Sequence, residues 1–200
     1  MSVTGTDGRE LKAKGLETRR RLLDAAERVF GELGFYEASI VKITEAAGVA
    51  QGTFYLYFAS KQEIFEELVR DLNVRVRHAM QESAAQGRDR IEAERLGFRA
   101  YFRFTAEHPA IYRIIRQAEF AAPHMLRYHY ERITDGYVEG LREAAERGEI
   151  AAPDPEVTAW ALMAMGEMLG MRWLLWQGNE EMPQDVLTAM DELIVRVLQP

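Results

Sequence analysis

The sequence predicts an all-α protein, with a small N-terminal helical domain followed by a larger helical bundle. Three observations predict it. Apolar residues recur every three or four positions through most of the chain, which is the period of an amphipathic helix. The alternation expected of strands is nearly absent. The 6 prolines fall between the helical stretches.

Residues 1–15 hold three glycines and no apolar period, and are expected to form a mobile arm. A first helix follows over about 17–33, with Leu22, Ala26, Val29, Phe30 and Leu33 on one face and Gly34 as its stop. Ser39 can cap a short helix over 40–47, whose inner face is Ile40, Ile43 and Ala47, and Gly48 ends it. A third short helix covers about 51–57. Ser60 and Glu63 have the spacing of a capping box and open a fourth helix at Lys61. That helix runs to about Ala84, with Ile64, Leu68, Leu72 and Val76 as its buried stripe, and Gly87 breaks it. Further helices are predicted at about 89–107, 110–121, 123–147, 156–177 and 184–198, making nine or ten in all. The domains are therefore an arm over 1–15, a first domain over 16–60 and a second over 61–200, with no internal repeat.

Composition narrows the function classes. The chain is 48% hydrophobic and 28% charged, as ordinary globular proteins are. It has no cysteine, which excludes disulfides and thiolate metal sites and makes a cytoplasmic setting the expectation. The N-terminus lacks an apolar signal core. No stretch of about 18 residues is free of charge, so no membrane-spanning helix is expected. The net charge of -7 is unevenly spread: residues 1–61 sum to +1 and the remainder to -8. Lys12, Lys14, Arg19, Arg20 and Arg21 form a basic cluster, which fits either a phosphate-binding surface or a solvated tail and first helical turn.

The most informative segment is FYEASIVKITEAAGVAQGTFYLYFASK, from Phe35 to Lys61. Two short helices separated by a glycine-containing turn have the pattern of a helix-turn-helix. Val49 can plug the angle between them, and Phe54 and Phe58, four apart, share a face with Ile43 against the first helix. That leaves Gln51, Gly52, Thr53, Tyr55, Leu56 and Tyr57 outward. A DNA duplex would account for two outward tyrosines. Their hydroxyls can reach phosphates, Gln51 and Thr53 can reach base edges, and Gly52 lets the backbone approach closely. Lys61 can hold a phosphate at the start of its helix.

With these residues in order, the stretch from Thr18 to Val69, including ITEAAGVAQGTFYLYF and SKQEIF, resembles the DNA-binding domain of the tetracycline-repressor (TetR) family. The resemblance implies an all-helical homodimer that binds a double-stranded operator and carries a variable ligand domain. It assigns Gln51, Thr53 and Tyr55 to base or phosphate contacts, and Tyr57 and Lys61 to phosphate. Lys42 on the second helix and Arg19 near the start of the first are placed beside the DNA backbone. Two residues depart from the pattern. Ala50 stands where a Ser or Thr commonly caps the recognition helix, and Ala38-Ser39 stands where two hydroxyl residues are frequent.

In the second domain, the helix from Glu156 to Trp176 is apolar on nearly every side, and the last helix presents Val186, Leu187, Met190, Leu193, Ile194 and Val197. A helix apolar all round needs cover all round, which fits either an ordinary core helix of a monomer or a surface covered by a second subunit, as the resemblance implies. A pocket for a small-molecule inducer is expected among helices five to eight. Its candidate lining is Phe98, Tyr101, Phe102, Tyr112, Phe120, Tyr128, Tyr137, Met163 and Trp173. Arg113 and Arg116 fit either a solvated face or an anionic ligand group, such as the phosphates of a coenzyme A thioester. The segment HPAIYRIIRQAEFA…YERITDGYVEGL also resembles repressors of fatty-acid or aromatic-acid catabolism. No cofactor and no metal site are expected: the histidines lack zinc-site spacing, and no phosphate loop, dinucleotide fingerprint or nucleophile-base pair is present. Two readings follow, a ligand-responsive repressor or a helical ligand-binding or scaffold protein that has lost operator binding.

Overall fold

A computed structural model describes residues 4–151 and 154–199. Nine α-helices form in the described residues, and a lone backbone bridge between Thr4 and Glu10 is the nearest approach to a strand. The helices are α1 (Ala13–Glu37), α2 (Ile40–Ala47), α3 (Gln51–Phe54), α4 (Lys61–Ala84), α5 (Arg90–Glu107), α6 (Ala110–Ala121), α7 (Pro123–Glu146), α8 (Pro155–Gly170) and α9 (Gln184–Leu198). The all-α prediction holds, and four element boundaries differ enough to matter. Helix α1 begins at Ala13 and resumes beyond Gly34, which interrupts it at φ 82° and ψ 164°, a conformation essentially restricted to glycine. Helix α3 is one turn long, and residues 55–57 continue it only as turns. Helix α8 stops at Gly170 and passes into a π-helical segment, Met171–Trp176, where one continuous helix was expected. The capping box forms at the start of α4, where the Glu63 amide donates to Ser60 Oγ at 3.1 Å, and Glu63 Oε2 reaches back to the Ala59 amide.

The chain divides into two compact units. One comprises Met1–Leu72 with Arg113–Arg127. Its core holds Leu22, Leu23, Phe30, Ile43, Phe54, Phe58, Ile64, Phe65, Leu68 and Leu72, all at 1% exposure or less. Phe30 and Phe35 both pack edge-on against Phe65, with ring centroids 5.1 and 4.9 Å away. Most of α6, from Arg113 onward, belongs to this unit, so it contains more than the helices of the N-terminal motif.

The other unit comprises Asn73–Tyr112 and Tyr128–Pro200. Its core is built from Phe98 and Phe102 of α5, Leu141 and Ala144 of α7, Ala159 and Leu162 of α8, Leu174 of the π-helical segment, and Val186, Met190, Ile194 and Leu198 of α9. Arg95 and Arg99 of α5 both bind the Asp191 carboxylate, at 3.0 and 2.6 Å, and so fix α9 against α5. Glu94 is buried between Arg90, which pairs with it, and Tyr137, which donates to it.

Candidate nucleic-acid interface

The helix-turn-helix is assembled by groups outside it as well as within it. Ser39 Oγ accepts from the Lys42 amide at 3.2 Å and caps α2. Gly48 adopts φ 64° and lets the chain turn, while the Val49 amide closes onto the Thr44 carbonyl at 3.0 Å. The C-terminal carbonyls of α2 are satisfied from α1: Arg21 donates to Ala47 O at 2.6 Å and Arg28 to Ala46 O at 3.1 Å. Two guanidinium groups at the negative end of α2 thus fix its angle to α1. Ala50 provides no side-chain cap for α3.

Phe54 and Phe58 face inward with ring centroids 5.7 Å apart, which turns the rest of the segment out. Gln51, Gly52, Tyr55 and Leu56 are exposed, and Thr53 and Tyr57 half-buried. A Cβ added at Gly52 would meet nothing within 4 Å, so this side of α3 is open. Residues 50–58 carry no charged group. The face therefore offers an amide, a hydroxyl and two phenols, which suit hydrogen bonding to base edges and phosphates better than charge pairing.

The basic cluster is largely committed inside the unit. Arg19 pairs with Glu67 at 2.6 Å and lies 5.2 Å from the Phe58 ring centroid. Arg20 makes two 2.8 Å bonds to Asp71, and Arg21 holds α2. Lys61 donates to Phe35 O at 2.7 Å and Ala38 O at 2.8 Å, tying the start of α4 to the end of α1. Lys12, Lys14 and Lys42 are exposed, and Lys42 also donates to Glu37 O at 3.0 Å.

Sequence reasoning missed two contributors. Thr6 binds the last turn after α3, donating through its amide to Leu56 O at 3.1 Å and through its hydroxyl to Tyr55 O at 2.7 Å. Gln117, on α6, hydrogen-bonds to α1 on both sides of Gly34. Neither is visible as a local pattern, because each contact joins residues about 50 to 90 positions apart.

The residues proposed for a ligand fall into two groups. Phe98, Tyr101, Phe102, Tyr137 and Trp173 belong to one packed cluster in the second unit, and Tyr112 stands edge-on to Tyr101 with centroids 6.5 Å apart. Burial pushes the Tyr112 hydroxyl up to about 12, and Tyr101 and Tyr137 are raised well above the usual phenol range by the same cause. Met163 is half-buried, and Tyr128 lies 6.0 Å from the Arg132 guanidinium. Arg113, Arg116 and Phe120 belong to the first unit and are exposed; Arg113 donates to Gly31 O at 3.1 Å, and Phe120 is 72% exposed. Among the described residues no three His, Asp or Glu side chains converge on a metal position, and no helix is long and apolar enough to cross a membrane.

With this geometry established, comparisons with known proteins agree on one family. Residues 22–68 match the model described as bacterial regulatory proteins, tetR family. An HTH-type transcriptional regulator of Bacillus subtilis, YdgC, is 49% identical over 67 residues, which cover 34% of this chain and 34% of that protein. The fatty acid metabolism regulator protein of the same organism is 31% identical over 136 residues, covering 65% of this chain and 69% of that protein. The crystal structure of the transcriptional regulator FadR from Bacillus subtilis, in complex with stearoyl-CoA, superposes with a TM-score of 0.79 at 21% identity, covering 89% of this chain and 98% of that one.

Proposed function

The chain belongs to the tetR family of bacterial regulatory proteins, and from that premise we propose that it is a ligand-responsive transcriptional repressor. In this reading a homodimer binds a palindromic operator and a small hydrophobic or amphipathic inducer releases it. The observation that carries the reading is the uncharged outward face of α3, where Gln51, Thr53, Tyr55 and Tyr57 surround an unobstructed Gly52. That face enters the major groove, with Lys42 beside the phosphate backbone. The apolar residues left exposed on the last helices, among them Trp160, Met168 and Leu193, support a second copy as their cover.

An acyl or aryl coenzyme A thioester is the proposed class of inducer. Its support is the likeness to a fatty acid metabolism regulator and the aromatic cluster of the second unit. A gel-shift with the DNA flanking its own gene, followed by titration with long-chain acyl and aryl coenzyme A thioesters, tests both parts. Retarded DNA that these compounds release supports the reading. No shift at low salt favours a ligand-binding protein without an operator, and a shift that none of them relieves removes the inducer class.

A further inference from the structure

Tyr112 is 4% exposed, and its hydroxyl lies beside those of Tyr101 and Thr105 without completing a hydrogen bond to either. A buried hydroxyl left unpaired costs about 1–3 kcal/mol, so its retention calls for a reason. Its surroundings point to one. The ring lies against Gly170, the last residue of α8, where even a Cβ would overlap the hydroxyl. One turn earlier on the same helix, Glu167 introduces a carboxylate and accepts from Tyr130 at 2.9 Å. The π-helical segment begins at the next residue, Met171, and such segments recur at functional sites. Of the two neighbouring hydroxyls on α5, Tyr101 and Thr105, the second already donates to the Tyr101 and Phe102 carbonyls.

We infer that the Tyr112 hydroxyl, beside Glu167, is the polar end of a ligand site in the second unit and binds a neutral hydroxyl or carbonyl group on an apolar molecule. A neutral oxygen completes the missing hydrogen bond. An anionic group is rejected there, because in a site of low dielectric it would meet the Glu167 carboxylate. The inference rests on the reading that this unit takes a small ligand, and it adds the polarity of the end that reaches Tyr112.

Three probes with one apolar body test it: 1-naphthol, 1-methylnaphthalene and 1-naphthoate, titrated into the full-length protein without DNA and followed by fluorescence or thermal shift. The wild-type protein should bind 1-naphthol roughly tenfold or more tighter than either of the others, the range expected when a buried polar group is left unpaired. Tyr112→Phe should erase the preference over 1-methylnaphthalene, leave the binding of that compound unchanged, and melt no lower than wild type. If Tyr112→Phe fails to fold, Glu167→Gln carries the test by raising 1-naphthoate binding roughly tenfold. Equal binding of the three, a preference that survives Tyr112→Phe, tighter binding of 1-naphthoate, or no binding at millimolar concentration overturns the inference. Because no DNA is present, failure here leaves the operator result standing, and failure of acyl thioesters to release DNA leaves this result standing.

Discussion

Gln117 Oε1 accepts the backbone amide of Phe35 at 2.6 Å, across the break that Gly34 makes in α1. Its Nε2 donates to the Phe30 carbonyl at 3.3 Å, so one side-chain amide serves both sides of the interruption. Helix α6 is fastened to the same unit at two further points, by Arg113 on Gly31 O and by Gln62 on Ala121 O. The end of α6 thereby helps set the path of α1, which in turn carries the arginines that hold α2.

Replacing Gln117 with Leu leaves the Phe35 amide and the Phe30 carbonyl without this partner. The variant should lose about 1–3 kcal/mol of stability, seen as a lower denaturant midpoint at unchanged slope. Gln117→Glu keeps an acceptor for Phe35 and should recover part of the loss. An unchanged midpoint in Gln117→Leu would show that the bridge contributes nothing.

Lys61 and Lys42 separate two uses of a lysine near DNA. Lys61 is turned inward onto the carbonyls of Phe35 and Ala38, whereas Lys42 is exposed on α2. Lys61→Ala should lower the melting temperature and weaken operator binding with little change in its salt dependence. Lys42→Ala should leave melting alone and reduce the salt slope by about 1, as loss of a single phosphate contact does. Fluorescence anisotropy on an operator fragment at several salt concentrations reads both. A salt slope reduced in Lys61→Ala but not in Lys42→Ala would reverse the assignment.

Much of the fold was legible because it is written in local spacing. Ile64, Leu68, Leu72 and Val76 recur at four-residue intervals and are all fully buried. Ser39, Gly48 and the Ser60–Glu63 pair each mark a helix end by short-range hydrogen-bond chemistry. What stayed illegible depends on distant partners. The run Arg19-Arg20-Arg21 reads as one basic cluster, yet helical geometry aims the three side chains at Glu67, Asp71 and the Ala47 carbonyl. Arg113 and Arg116 lie close in sequence to Tyr112, but belong to a different compact unit from the aromatic cluster. The π-helical ending of α8 follows no residue pattern that periodicity detects.

His129 makes stability depend on pH. It is 6% exposed, and burial pushes it down to about 4 from the usual 6.5. Asn73 Nδ2 donates to its carbonyl at 2.9 Å and lies 3.2 Å from Nδ1. The folded protein therefore binds this proton less readily than the unfolded chain. The neutral His129 contributes fully above pH 6.5, and its contribution falls as pH drops from 6.5 to 4, by about 3 kcal/mol over the whole window. Glu94 acts in the opposite sense, because burial raises its carboxyl and acidification favours its folded form. The informative quantity is therefore the difference between wild type and His129→Gln. Between pH 7 and 5 the variant should lose less stability than wild type in urea melts, and parallel losses would show that His129 is not the titrating group.

The proposed dimer can be tested on the last helix. Leu193 and Val197 are 42% and 40% exposed on α9, four residues apart and so on one face. Helix α8 also leaves apolar side chains exposed, among them Trp160 and Met168 at 39% and 52%. Covering such side chains yields about 25 cal/mol for each Å² of apolar surface removed from water, and a second copy of the same surface is self-complementary about a two-fold axis. Leu193→Glu places a charge in that surface while altering no contact of the buried core, in which Ile194 and Met190 take the inward positions. The variant should keep the helical circular dichroism of the wild type but sediment as a monomer at micromolar concentration. Its operator affinity should fall by an order of magnitude or more, because each head then binds a half-site alone. A wild-type protein that sediments as a stable monomer at the same concentration would remove the dimer, and with it the palindromic operator.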